Sequence, residues 1–261
     1  MKKTCAVLLA CFISLFCLLS CGLEAFYYID YIPNSDMHLT TKATIRLPSS
    51  SDEGYNNYFT HFMIFYRIYI SDIQEDALIA STRTNDVFNK LINLALTSDF
   101  AALYSLTDKT STDVSTSNLE NAFYRRNYFL LTLENASITS ILDSGSLGRT
   151  LVIEFPPNTG TNPTLTLNGG TQYVLLRATE GPGLNFKPQP DRHFLNHPDL
   201  YNTANINPQT NPDVATNSKP NILYSYVSMY IAAVGKSYEL PPRNIYSQPT
   251  FIGVFRLAES S

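Results

Sequence analysis

The residues of this chain best suited to chemistry are four histidines and four cysteines, and their spacing limits what each set can do. His193 and His197 stand four apart with Asp191 just upstream. On a helix that spacing puts both imidazoles on one face, as a Zn²⁺ site requires. Pro188, Pro190 and Pro198 crowd the segment, however, no Glu follows His193 as a metalloprotease needs, and His38 and His61 are distant in sequence. We read these histidines as solvated loop residues and expect no metal and no cofactor. The cysteines are grouped differently: Cys5, Cys11, Cys17 and Cys21 all lie at the N-terminus, in or just after an apolar run that follows Lys2 and Lys3.

Other catalytic signatures are thin. Ser144-Gly145-Ser146-Leu147-Gly148 is superficially like a nucleophile elbow but does not have its G-x-S-x-G spacing, and reads as a turn ahead of the strand from Thr150. Gly181-Pro182-Gly183 has no lysine or helix placed to cradle phosphate. Asp72, Glu75 and Asp76 follow a strand-like run and read as a solvated turn, whereas a glycosidase needs two acids held across a cleft. Asn135-Ala136-Ser137 matches the glycosylation sequon only formally. The expectation is a chain that is not an enzyme, with a hydrolase whose residues converge only in three dimensions as the remaining catalytic alternative.

The first 21 residues carry the strongest signal. Lys2 and Lys3, the apolar run from Ala6 to Leu19, and Leu18-Leu19-Ser20-Cys21 have the order of a secretory leader. This segment resembles bacterial lipoprotein signal peptides, whose lipobox has an aliphatic residue at −3, a small residue at −1 and an obligatory cysteine. Its Leu-Leu-Ser-Cys form is compatible with spirochaete or Bacteroidota lipoproteins. The resemblance implies cleavage after Ser20, diacylation of the Cys21 thiol and often acylation of the new amino group, and so a bacterial envelope protein on the periplasmic face or cell surface. Two alternatives stand beside it: a spanning anchor, for which about 14 apolar residues fall short of the roughly 20 needed, and a plain secretory signal cut elsewhere.

If residues 1–20 are removed from the 261, the mature chain has 241 residues, and losing two lysines takes its formal charge from −4 to −6. Cys21 is then the only thiol, already committed to lipid, so neither an intrachain disulfide nor a cysteine nucleophile is expected. A mildly acidic chain is a poor ligand for nucleic acid or for anionic lipid, which leaves membrane attachment to the acyl chains. Only Gly22-Leu23-Glu24-Ala25 separate Cys21 from Phe26-Tyr27-Tyr28, a span of about 14 Å when extended. The expected organisation is a signal peptide over 1–20, a short tether over 21–25 and one elaborated domain over 26–261, resting close to the headgroups unless residues 26–40 lengthen the leash.

Along that domain, β-like runs alternate with proline-punctuated loops. Lys42 to Leu47 alternates apolar with polar, the pattern of a half-buried strand. Tyr58 to Ile70 is apolar and aromatic on both faces, as in a central strand. Further strands are expected at Tyr124 to Leu133, Thr150 to Phe155, Ile222 to Val234 and Thr250 to Leu257, and a hairpin through Asn168-Gly169 within Thr164 to Ala178. A helical insertion is expected near 85–106, capped by Asn85, and a long proline-rich loop near 181–220. About eight strands with one helical insertion predict a mainly β chain, an antiparallel β-sandwich. Phe65 to Ser71 and Tyr226 to Gly235 resemble the third and penultimate strands of fibronectin type III-like (immunoglobulin-like) domains, although the chain is longer and has no Trp.

The functional expectation is a non-catalytic binding or adhesion module for a protein or glycan partner. Its candidate contact residues are Phe186, Phe194, Tyr201 and Tyr246, with Tyr55 and Tyr58 as further loop aromatics, since tyrosine adds contact area at little entropic cost. A structural component of an envelope assembly is the alternative. If the proline-rich loop is the binding element alone, deleting residues 185–218 should leave melting behaviour nearly intact while abolishing partner capture.

Overall fold

The computed structural model describes residues 29, 32, 39–52, 54–71, 123–124, 128–156, 161–178, 193–194, 213, 224–238, 240, 242 and 244–257. These residues form a mainly β structure with two sheets, predominantly antiparallel, and very little helix. In chain order the strands are β1 (Leu39–Thr40), β2 (Lys42–Arg46), β3 (Phe59–Ser71), β4 (Phe129–Leu130), β5 (Thr132–Leu133), β6 (Thr150–Glu154), β7 (Thr164–Leu167), β8 (Gln172–Leu176), β9 (Tyr224–Lys236), β10 (Asn244–Tyr246) and β11 (Thr250–Arg256). One short helix, α1 (Ile138–Ile141), and a 3₁₀ turn at Ser144–Ser146 precede β6. The expected helix near 85–106 lies outside the described residues.

The first sheet has the order β1-β11-β9-β3-β4, with β10 also on β9; the second has the order β2-β6-β7-β8-β5. At the centre of the first sheet, β3 and β9 run antiparallel from Phe59 opposite Gly235 to Ser71 opposite Tyr224, with one bulge near Phe59. Phe62, Ile64, Tyr66 and Ile68 of β3 and Val227, Met229, Ile231 and Ala233 of β9 face inward and join a core shared with Ala43, Ile45, Leu151, Ile153, Leu165 and Leu175 of the second sheet. The other face of the first sheet is buried as well. Met63, Phe65, Tyr230, Ala232 and Phe251 are all inaccessible, and Phe123 stacks on Phe65 at 4.0 Å while meeting Tyr230 at 5.9 Å. The central strand is thus covered on both sides, as its sequence demands.

Local chemistry accounts for the smaller elements. β2 alternates exposed and buried residues throughout, with Ala43 and Ile45 inward. The hairpin between β7 and β8 turns at Asn168 (φ 49°) and Gly169 (φ 68°), the left-handed pair that Asn-Gly tolerates. Asn168 also ties the turn to β6, because its Oδ1 accepts from Thr150 N at 2.6 Å. Ser144–Ser146 tightens into a 3₁₀ turn because Asp143 Oδ1 accepts from Gly145 N at 2.8 Å. The single strand expected from Tyr124 to Leu133 is instead broken. Phe123 and Tyr124 are helical, β4 pairs with β3, and after Leu131 the chain crosses to the second sheet, where β5 pairs with β8. Ile29 and Ile32 are already part of the body: both are fully buried, and Ile32 O accepts from Thr250 Oγ1 at 2.7 Å.

The strands give the molecule two distinct ends. At one, which we call the entry end, Ile29 packs on Gly235 and the 47–58 loop leads into β3. At the other, Ser71 closes β3 and Tyr224 opens β9. Thirteen-residue strands separate the two by about 40 Å. Gly235 marks the entry end because a Cβ there would lie 2.5 Å from both Ile29 Cδ1 and the backbone oxygen of Tyr58. Gly235→Ala is therefore expected to destabilise the fold by about 1–3 kcal/mol, measured by equilibrium denaturation. An unchanged unfolding midpoint would contradict the close approach of residue 29.

Candidate functional site

The most concentrated polar chemistry is buried just past the middle of β3, where Asp213 of the proline-rich segment meets the sheets. β8 ends at Leu176, and the next residue, Arg177, turns into the interior with only 4% of its side chain exposed. Its charge is met by Asp213, 36 residues on: Arg177 Nε donates to Asp213 Oδ2 at 2.7 Å and Nη2 donates to Oδ1. Tyr66 completes the cluster from β3. Its hydroxyl donates to Asp213 Oδ2 at 2.7 Å and accepts from Ala178 N at 2.8 Å. Asp213 O accepts in turn from Ile68 N at 2.9 Å. Each carboxylate oxygen is thus engaged, as a buried charge requires.

The electrostatics follow from that geometry. Burial alone would raise the Asp213 carboxyl, but the Arg177 guanidinium, its hydrogen bonds and the Tyr66 hydroxyl outweigh it and hold the group below its ordinary value. Burial and the Asp213 charge push the Tyr66 hydroxyl well above its ordinary value, so it remains a donor. For Arg177 burial works to lower the value, and the Asp213 charge overcomes it and raises it. With both oxygens bonded by Arg177 and Tyr66, the carboxylate is arranged to hold chain.

The same region fixes a second point of the segment. Phe194 is fully buried, its ring edge-on to Tyr66 at 5.2 Å and to Phe155 at 5.9 Å. His193 bridges to the backbone of Leu176 and lies 3.8 Å from Glu134. Phe194 is therefore a correction to the sequence reading: its ring is a core anchor, not a partner contact. Tyr55 is likewise buried, packed on Phe59 and Phe62. Tyr246, half-buried on β10, sits opposite Val234 near the entry end, as does Tyr58, so these aromatics do not converge with Phe194. Cys21, Phe186, Tyr201, His197 and the Asp72/Glu75/Asp76 group lie outside the described residues. Among the described residues no three His, Cys, Asp or Glu side chains gather as a metal site.

The sequence did not single out Arg177 and Asp213. The available signal was one charge at the end of Tyr173-Val174-Leu175-Leu176, an apolar run that buries whatever follows it. A shallow depression of about 450 Å³ lies between α1 and the β7–β8 turn, lined in part by Ser140, Asp143, Arg149, Thr171 and Tyr173. It offers both charge signs to solvent and is remote from the Arg177 cluster.

Deletion of residues 185–218 removes both Phe194 and Asp213 and would leave Arg177 buried without its counter-charge, so it is expected to destabilise the fold as well. Asp213→Ala alone should cost about 3–5 kcal/mol, read from denaturant unfolding. Asp213 stabilises the fold fully above its unfolded value of 3.8, and that contribution is lost as pH falls below it toward the lower folded value. The melting-temperature gap between wild type and Asp213→Asn should therefore be steady above about pH 5 and close below about pH 4. A gap that persists unchanged into acid would contradict an ionised, paired Asp213.

Comparison of the chain with known protein families, with curated proteins and with solved structures finds no match in any of the three.

Proposed function

We propose that this chain is a lipid-anchored envelope lipoprotein, non-catalytic, whose β-sandwich body presents the proline-rich segment to a protein or glycan partner. The sandwich assignment is supported by the single core to which both sheets contribute. It is further supported by the adjacency of β3, β9 and β11, which corresponds to the C, F and G strands of immunoglobulin-type sandwiches. The second sheet departs from that pattern through the β7–β8 hairpin and β5.

The observation that carries the functional reading is the polarity of the body. The chain arriving from Cys21 joins the fold at Ile29, beside Gly235 and Tyr58. The 179–223 segment follows Ala178, whose N donates to Tyr66 just past the middle of β3, and precedes Tyr224, at the opposite end. A membrane-tethered binder gains from this arrangement, because the fixed roots of its contact segment, packed against Tyr66, lie away from the entry end. Those roots, Phe194 and Asp213, restrict the segment at two points and lower the ordering cost of binding.

The test is a shorter excision. Replacing residues 197–210 with a Gly-Ser linker keeps both Phe194 and Asp213. Thermal unfolding should shift by only a few degrees, while partners crosslinked on intact cells by the wild-type lipoprotein should be lost. An identical crosslinking profile in the excised variant would overturn the assignment of the segment as the contact element.

A further inference from the structure

At the entry end, the connection between β9 and β10 carries the only large hydrophobic side chains that are exposed among the described residues. Tyr238 is 68% and Leu240 94% accessible. Isolated apolar residues on a surface need no explanation, but these are two residues apart and stand where the chain enters the body. Tyr238 is also held in place: its hydroxyl donates to Asn57 O at 2.7 Å and its ring leans on Tyr58 at 5.3 Å. Tyr58 O in turn accepts from the backbone N of Lys236 at 2.9 Å, and the Lys236 residue is exposed. Ile29 packs on the same Gly235–Tyr58 junction.

Seven residues, 22–28, separate Cys21 from Ile29, so eight Cα steps keep Cys21 within about 29 Å of that junction. A tyrosine with a polar tip, a bare leucine and a lysine are the side chains that settle at a bilayer interface. We propose that Tyr238 and Leu240, with Lys236 beside them, form the lipid-contacting surface of the domain and seat its entry end on the headgroups of the membrane that holds Cys21. The inference rests on the lipid-anchor reading of Cys21. It goes further by assigning a surface and an orientation: the body stands on the β9–β10 connection, with the end where β3 closes and β9 opens directed outward.

The chain contains no tryptophan, so an introduced one is a unique reporter. Leu240→Trp is placed at the proposed contact, with Tyr238→Trp as a second position, and Thr161→Trp serves as an exposed control toward the opposite ends of β6 and β7. Each acylated full chain, with its acylation verified by intact mass, is reconstituted into vesicles of phosphatidylcholine and phosphatidylglycerol with or without brominated acyl chains. The expected result is a blue-shifted emission at position 240 that brominated lipid quenches, with neither effect at position 161. Equal, solvent-like emission at 240, 238 and 161 in an acylated chain overturns the docking surface and leaves the anchor reading standing. A blue shift at 240 without bromine quenching identifies a protein contact, such as a second copy, and also overturns it. A Cys21 without acyl mass removes the anchor reading and the docking proposal with it.

Discussion

The β3–β9 ladder is the constraint from which the remaining architecture follows. Two thirteen-residue strands, buried on both faces over Phe62–Tyr66 and Val227–Val234, cannot be edges or surface elements, because each face must be covered by further apolar structure. The inward face takes the second sheet, and the outward face takes Phe123 and Tyr128, the latter edge-on to Tyr230 at 5.3 Å with its hydroxyl accepting from Ser228 Oγ at 3.1 Å. The ladder also sets the long axis. The chain threads onto the fold at one end, and both long segments, 72–122 and 179–223, begin after strands that finish toward the other.

Against that apolar frame, the Arg177–Asp213–Tyr66 cluster adds position more than net stability. A buried ion pair gains little over well-packed hydrophobic side chains, yet breaking it is expensive. Its effect here is to specify where the proline-rich segment returns to the body, with Phe194 fixing an earlier point. A segment with these roots is built into the fold and cannot be treated as a detachable appendage.

How much of this was legible depended on whether the information was local. The alternation of Lys42 to Arg46, the doubly apolar run of β3 and the left-handed Asn168-Gly169 turn are short-range patterns, and each produced the element it predicts. The break at Leu131 was hidden because its cause is pairing with two different sheets, and β10 because Asn244–Tyr246 is too short to show a period beside Pro241-Pro242. Partner choice by Arg177 and Asp213 is set by folding across 36 residues, which no spacing rule encodes. Phe194 shows the same limit from the other side: an aromatic in a proline-rich stretch reads as a surface contact until the fold reveals the pocket between Tyr66 and Phe155.

The polarity proposed for the molecule sets its entry end, with the lipid of Cys21, at the membrane and the end where β3 closes and β9 opens away from it. Energy transfer tests it most directly, because a chain acylated at Cys21 and cleaved after Ser20 as proposed has no other thiol, and an introduced cysteine takes a single dye. A donor on Ser71→Cys, where β3 closes, with acceptor headgroups in the bilayer, should show much weaker transfer than a donor on Tyr238→Cys beside Tyr58, since about 40 Å of strand separates the two ends of β3. Equal transfer from both positions would contradict the account.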